Sequence, residues 1–394
     1  MQWVMKASKL CNLRCKYCYE WDHLSDPARM PLEVWRNTLI AIRDYAELAI
    51  QRGGKPFSTD IIWHGGEPLI LPVSYWRDAV SLQREIFSRD WFEKGLIRNC
   101  VQTNLYAVGD DILDFLAEND FGVGVSVDFA GGVRVTAAGK ETEHRVKENL
   151  HRLVARGTPF ALITVLAGHT IARIEEVFAE LASFGVPVRL LPLFAGPDDR
   201  PMEGVTVSRA EIMDALMRLF DLWFEAGMPM PMDPFDECVK TIAMKRLGLR
   251  PPRADRARLG NEVLVVDRDG SLSCVAFRDE RVVGNLRHQP IADIIRSEAY
   301  QSLVRDEGQL KARICDTCSM GNACDTRPLA RNFDSHGLGD CPTEKYLTPL
   351  IETYLEERDF FDSEFAETAE ELAASHLSSM AGTSSDLLRV TTPV

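Results

Sequence analysis

The sequence lacks any apolar run approaching the ~20 residues of a membrane-spanning helix. Its N-terminus has no secretory signal pattern. A cytoplasmic protein with no membrane partner is therefore expected. An excess of positive charge is missing as well: 45 Lys and Arg stand against 59 Asp and Glu, a formal net charge of -14. That balance disfavours a phosphate backbone and so nucleic acid as a partner, whereas a peptide or small molecule fits. Nothing in the composition marks the chain as fibrous or disordered. With 45% hydrophobic and 26% charged residues, 394 residues suffice for a large core and about two domains.

What the chain has in quantity is cysteine. In a reducing compartment disulfides are not expected, and clustered cysteines among the 10 read as metal ligands. Cys100 and Cys238 stand apart from the clusters, and Cys100 lies in an apolar stretch that reads as buried. The first cluster is Cys11-Asn-Leu-Arg-Cys15-Lys-Tyr-Cys18, after an apolar run through Trp3, Val4 and Met5. Three thiolates so spaced can close on three corners of a cubane iron-sulfur cluster, leaving one iron without a protein ligand. A structural zinc loop or a disulfide pair are the alternatives. Zinc is normally closed by a fourth Cys or His, and only His23, which reads equally as a loop residue, stands nearby.

Beyond that loop the hydrophobic period alternates. Leu32, Trp35, Leu39 and Ile42 predict a helix over 31–52, ended by Gly53-Gly54. Residues 60–64 read as a buried strand. Helices over 72–87 and 110–119 then alternate with strands over 97–103 and 122–128. A helix with Val146, Leu150, Leu153 and Val154 on one face follows, then a strand at 160–166, a helix at 170–184 and a strand at 187–193. With the strand before Cys11 this makes six, too few for a closed eight-stranded barrel. Right-handed βαβ units and a parallel sheet follow, with active groups at strand C-termini. Periodicity alone leaves a partial barrel and a flat doubly wound sheet both open.

Gly65-Gly66-Glu67-Pro68 directly follows the second strand. Glycines permit close backbone approach to a ligand, and the carboxylate can accept from an ammonium; a tight turn alone is the alternative. Cys15-Lys16-Tyr17-Cys18, with its aromatic before the last cysteine, resembles the signature of radical S-adenosylmethionine (SAM) enzymes, and residues 65–68 resemble their GGEP motif. Gln102-Thr103-Asn104 and Ser126-Val127-Asp128 resemble later strand ends of that family. The resemblance implies an α/β fold with an open (βα)6 partial barrel, and a [4Fe-4S] cluster on Cys11, Cys15 and Cys18 whose open iron is chelated by SAM. It implies SAM contacts from Tyr17, Gly65, Gly66, Glu67, Pro68, Asn104, Ser126 and Asp128. Arg134 would pair with the SAM carboxylate, although the loop around it departs from the family sequence. Turn capping is the alternative for Asn104 and Asp128. His64 and His169 read either as ligand contacts or as internally bonded histidines.

Gly196 to Pro201 breaks the α/β rhythm, Ser208 with Glu211 reads as a capping box opening a helix through Trp223, and a further helix is expected over 237–247. Arg250-Pro-Pro-Arg reads as a domain connection. Residues 263–274 then read as a hairpin turning at Asp269-Gly270, followed by a short helix over 291–303 and by Cys315, Cys318, Cys324 and Cys341. This arrangement resembles the SPASM domain of peptide-modifying radical SAM enzymes, which carries two auxiliary clusters. Here Leu259-Gly260-Asn261 replaces a Cys-Gly and Pro328 replaces another cysteine, leaving Cys274 as the sole remnant of one ligand set. Cys315, Cys318, Cys324 and Cys341 complete the other, so one auxiliary [4Fe-4S] cluster is expected, with zinc as the alternative. The expected division is 1–200 barrel, 201–258 helical linker, 259–361 SPASM-like domain and 362–394 a partly disordered tail. A last helix over 343–361 carries Tyr346, Leu350 and Tyr354, with Pro349 as a kink.

The resemblance implies reductive cleavage of SAM to a 5′-deoxyadenosyl radical that removes hydrogen from an unactivated carbon. An electron donor such as flavodoxin or ferredoxin would supply the electron, and the auxiliary cluster would accept one from product. The low cluster count and Asn332-Phe-Asp-Ser…Cys341-Pro resemble maturases that crosslink ribosomally made precursor peptides. Val275 after Cys274 stands where formylglycine-forming sulfatase maturases place an Asp. A small-molecule dehydrogenase or epimerase is a further alternative, and a non-catalytic metal protein another. Asp233, Asp236 and Glu237 read as a base for rearomatisation or as solvated charges. No separate leader-binding domain is expected ahead of Met1.

Overall fold

The computed structural model describes residues 1–51, 57–193, 202, 204–249, 263–274, 281–321, 323–324, 341 and 343–361. The expectations at Gly53-Gly54, 196–201, 250–253, 259–261, Val275, Pro328, 332–335 and the tail from 362 lie outside the described residues.

Strand β1 (Gln2–Ser8) is followed by α1 (Leu32–Gln51), β2 (Thr59–Gly65), α2 (Val73–Ile86) and α3 (Arg89–Glu93). Then come β3 (Ile97–Thr103), α4 (Asp110–Glu118), β4 (Gly122–Ser126), α5 (Glu143–Arg156) and β5 (Phe160–Leu166). The chain continues through α6 (Gly168–Ile171), α7 (Ile174–Phe184), β6 (Val188–Pro192), α8 (Arg209–Glu225), β7 (Met232–Asp233) and α9 (Phe235–Arg246). Strands β1 to β6 pair in parallel in chain order, as βαβ units require, and β7 adds in parallel to β6. This is the expected parallel α/β core.

On the far side of β1, β8 (Val263–Asp267) pairs in parallel, and β9 (Ser271–Ser273) and β10 (Val282–Asn285) continue antiparallel. The hairpin turns at Gly270, with φ 89°, as Asp269-Gly270 predicted. The later segment thus extends the first sheet. It ends in α10 (Ile291–Arg296), α11 (Glu298–Cys315) and α12 (Thr348–Glu356).

Alternation along the strands sorts two faces. Trp3, Met5 and Trp63 point outward into the helical layer, where Trp63 lies between Trp35 and Trp76 at ring-centroid distances of 4.6 and 4.8 Å. Val4, Ile62, Cys100 and Val265 form a separate apolar floor on the inner face. Cys100 is buried there, as expected.

Several element ends differ from the sequence reading. The helix expected over 170–184 is split, with α6 stopping at Ile171 before α7 begins. The one over 291–303 breaks at Ser297, whose hydroxyl accepts from Tyr300 N and so caps α11. Val154 is 56% exposed, because one residue past Leu153 turns about 100° off the buried stripe. Pro349 stands in the first turn of α12, where a missing N–H is tolerated, so it opens that helix. Strand β10 and helix α3 had no clear periodic signal. The Ser208–Glu211 capping box forms as predicted.

Candidate functional site

The loop of Cys11, Cys15 and Cys18 leaves the C-terminal end of β1 and is gripped from two sides. On one, Arg14 N donates to Val135 O (2.7 Å) and Lys16 N to Val133 O (3.1 Å). On the other, Gly66 N donates to Ser8 O (2.9 Å) and Glu67 N to Leu10 O (2.8 Å). A Cβ on Gly66 would stand 2.2 Å from Leu10 O, and one on Gly65, whose φ is +120°, 2.2 Å from Ser8 O. These glycines therefore admit the backbone of the cysteine loop itself. That is a different close approach from the ligand contact read from the sequence.

Glu67 also departs from expectation. Its carboxylate turns inward, accepting from Leu69 N (3.0 Å) and Thr103 Oγ1 (2.7 Å) at one oxygen and from Asn104 N (2.7 Å) at the other. It staples β2 to β3 in place of meeting an ammonium, and Pro68 opens the short turn that follows. Asn104 Nδ2 reaches Asn12 Oδ1 (2.9 Å) and Cys11 Sγ (3.7 Å), so this strand end does converge on the loop.

The third part of the site is a buried network at the ends of β4 and β5. Asp128, 3% exposed, accepts from Tyr17 Oη (2.5 Å) and Val165 N (3.1 Å) and lies 3.2 Å from His169 Nε2. Arg134 donates to Tyr17 Oη (2.5 Å) and lies 3.9 Å from Asp128. Burial pushes the Asp128 carboxyl upward, but Arg134, His169 and Tyr17 outweigh it and hold it below its ordinary value. Tyr17 stacks on His169 at 5.8 Å. Tyr17, Asp128 and Arg134 are thus brought together. Ser126 closes β4 in register with Ile163.

His169 is the member that sequence reading left unassigned; its Nδ1 is buried with no hydrogen-bond partner. Thr103, quoted only as the middle of a strand-end motif, and Asn12 received no role, since neither residue type stands out until the fold places it against Glu67 or Asn104.

The radical SAM superfamily model matches residues 5–181, and the SPASM iron-sulfur cluster-binding domain model matches 258–319. The chain carries a radical SAM domain followed by a SPASM domain. Such an enzyme uses a SAM-binding [4Fe-4S] cluster and an auxiliary iron-sulfur cluster. A serine-type anaerobic sulfatase-maturating enzyme of Bacteroides thetaiotaomicron is 23% identical, over 87% of this chain and 82% of its own. A cysteine-type one of Clostridium novyi is 21% identical, over 76% and 80%. Among solved structures, anSMEcpe with bound AdoMet and Cp18Cys peptide superposes with TM-score 0.66 at 18% identity, covering 95% of this chain and 99% of that one. Streptococcus suis SuiB with its precursor peptide SuiA gives TM-score 0.56 at 14% identity, covering 82% and 70%.

The radical SAM loop suits a cluster in its chemistry. Cys11 Sγ already accepts from Leu13 N (3.4 Å), and Asn12 Nδ2 is buried without a partner. Burial pushes the Cys11 thiol up to about 12 and the Cys18 thiol to about 11, so metal binding must displace protons. Among the described residues no three His, Cys, Asp or Glu side chains converge on the scale of one metal ion; a cubane, being larger, holds its thiolates farther apart.

In the SPASM part, Cys315 ends α11, Cys318 N donates to Cys315 O (3.1 Å) and Cys324 N to Met320 O (2.9 Å). Cys324 and Cys341 are buried. Cys274, at the end of β9, is buried in the main core. Cys238 on α9 is likewise interior and accepts from Thr348 Oγ1 (3.3 Å). Asp233 pairs with Arg189 at 3.4 Å, and Asp236 and Glu237 face Lys240 at 3.7 and 3.4 Å, so each of these carboxylates has a cationic neighbour. No helix among the described residues is long and apolar enough to cross a membrane.

Proposed function

We propose that the chain is a peptide maturase that removes a side-chain hydrogen from a ribosomally made precursor and closes a crosslink. Cys11, Cys15 and Cys18 hold the SAM-binding cluster, and Cys315, Cys318, Cys324 and Cys341 hold the auxiliary one. When bound, SAM and its cluster supply a carbon-centred radical strong enough to abstract hydrogen from an unactivated carbon. The chain's own residues orient and enclose. Glu67 fixes the ends of β2 and β3, leaving the backbone of 65–68 as the wall of the SAM site. Arg134, held by Tyr17 beside the cysteine loop, is the cation placed for the SAM carboxylate. Asp128 remains anionic and keeps Arg134 and Tyr17 in place. Precursor recognition falls to the barrel mouth and the SPASM part, and flavodoxin or ferredoxin is the expected donor.

The observation that carries the peptide reading is that anSMEcpe and SuiB, which share the fold over most of this chain, were each caught with a peptide bound. Val275 in place of an acid after Cys274, and the loss of one auxiliary ligand set, favour a crosslink over formylglycine. Formylglycine formation stays as the second reading, favoured by the sulfatase-maturating relatives.

The test is anaerobic reconstitution, with 5′-deoxyadenosine release measured in wild type and Cys15→Ala. Mass spectrometry would follow a peptide encoded beside the gene and a sulfatase peptide bearing Ser or Cys. Loss of two hydrogens as a protease-resistant, hydrazine-unreactive link is expected. A hydrazine-reactive aldehyde would move the assignment to formylglycine. No deoxyadenosine from wild type would sink the radical reading.

A further inference from the structure

Val4 and Lys6 are successive inward-facing residues of β1, and the second of them is an ammonium where the first sits in an apolar floor. Lys6 is only 2% exposed, and its Nζ lies 2.8 Å from Glu20 Oε1, itself on a side chain 5% exposed. Taking an ammonium and a carboxylate out of water costs several kcal/mol per ion unless pairing offsets it, and an apolar side chain would fill the place at lower cost. The pair's position gives it a use. Glu20 is the second residue after Cys18, so the pair sets a cation and an anion at the end of the cysteine loop and ties that end to β1.

The clamp extends outward. Lys9 lies 3.9 Å from the other Glu20 oxygen and 2.9 Å from Asp267. Asp267 is the last residue of β8, within the segment matched by the SPASM model, and stands opposite Lys6 in the β1–β8 register. Arg268 adds a second tie across the same seam, to Asp26 just beyond the cysteine loop. A continuous run of charges therefore joins the SPASM strand to the end of the cysteine loop.

The net charge and burial around an iron-sulfur cluster, with its type and the hydrogen bonds to its sulfurs, set its potential. We propose that the Lys6–Glu20 pair tunes the reduction potential of the cluster on Cys11, Cys15 and Cys18, through its charges and by fixing the chain two residues after Cys18, and that Lys9–Asp267 couples the SPASM strand to that setting. The inference rests on those cysteines being the cluster ligands. Lys6 acts through Glu20 and is a positioning residue.

The experiment is an EPR-monitored redox titration of the reconstituted full chain, reading the cluster whose signal changes on adding SAM. Lys6→Met removes a cation, which disfavours the reduced form. The expected shift is downward, about tenfold in the one-electron equilibrium, or ~59 mV. Lys6→Arg should restore most of it, and Lys9→Met should shift it downward by less. Glu20→Gln keeps a partner for Lys6 but removes an anion, so its shift should be upward. A potential unmoved in Lys6→Met overturns the proposal. Should that variant fail to assemble a cluster, unmoved potentials in both Lys9→Met and Glu20→Gln overturn it. A wild type with no SAM-sensitive signal overturns the ligand reading itself, and this inference falls with it.

Discussion

Asp128 shows what a single residue's sequence context can and cannot reveal. Its place after a strand was legible from the run Ser126-Val127-Asp128, because a strand end is a local feature. Its partners were not, since Tyr17 lies 111 residues away and His169 another 41 on. His64 was ambiguous for the same reason, and the fold resolves its ring state. Gly65 N donates to its Nδ1 at 2.6 Å, so the proton sits on Nε2 and the ring is neutral. Burial first, and then the Lys6 charge beside it, push its pKa down to about 4 from an ordinary 6.5. The sign follows from linkage. Between pH 6.5 and 4 the unfolded ring takes up a proton that the folded ring refuses, so stability is full above 6.5 and falls as pH drops through this window. The ceiling is about 3 kcal/mol at 1.36 kcal/mol per pH unit, less what water reaching the half-buried ring screens. His64→Gln should therefore flatten the acid limb of urea-unfolding midpoints measured over that range, and parallel limbs in the two proteins would refute the assignment.

At the scale of elements, the cysteine loop has no regular structure, and its shape comes from what grips it. The GGEP run was readable as a motif, but its mechanical reason was not, because the atoms that forbid a side chain belong to residues 8–10, more than fifty positions earlier. Backbone oxygens cannot swing aside as a side chain can. Gly66→Ala would put a methyl 2.2 Å from Leu10 O and 2.3 Å from Lys9 O, so the loop must move. The sheet beneath is held by its own core, and the fold should persist. The expected outcome is loss of the SAM-binding cluster, iron falling from about eight to about four per chain, with far-ultraviolet circular dichroism retained. Gly139→Ala is the control: its φ of +74° makes alanine strained, but the space is open. It should cost about 1 kcal/mol and keep all its iron. Iron retained in Gly66→Ala would mean that the loop tolerates the displacement.

The whole molecule follows from the order of its strands. Six parallel βα steps were legible because each strand and helix carries its own period, whereas the attachment of β8 to β1 was invisible, joining segments some 260 residues apart. That attachment brings the SPASM hairpin to the edge of the barrel without putting the later cysteines on it. Cys315 closes α11, and the turn leading to Cys324 packs through Ala323 onto Met244 of α9 and Leu249. The two cysteine sets therefore stand on different supports: one at the C-terminal ends of the parallel strands, the other on α9 and α11. Removing Cys315 and Cys318 together should leave β1, the Cys11 loop and the Asp128 network untouched. The Cys315→Ala/Cys318→Ala chain should keep about half its iron and still release 5′-deoxyadenosine, while failing to turn that release into modified peptide, because the second electron has lost its acceptor. Loss of deoxyadenosine from this variant, with the remaining cluster intact by EPR, would show that the helical support governs the barrel mouth. Unchanged peptide product would show that the electron leaves by another route.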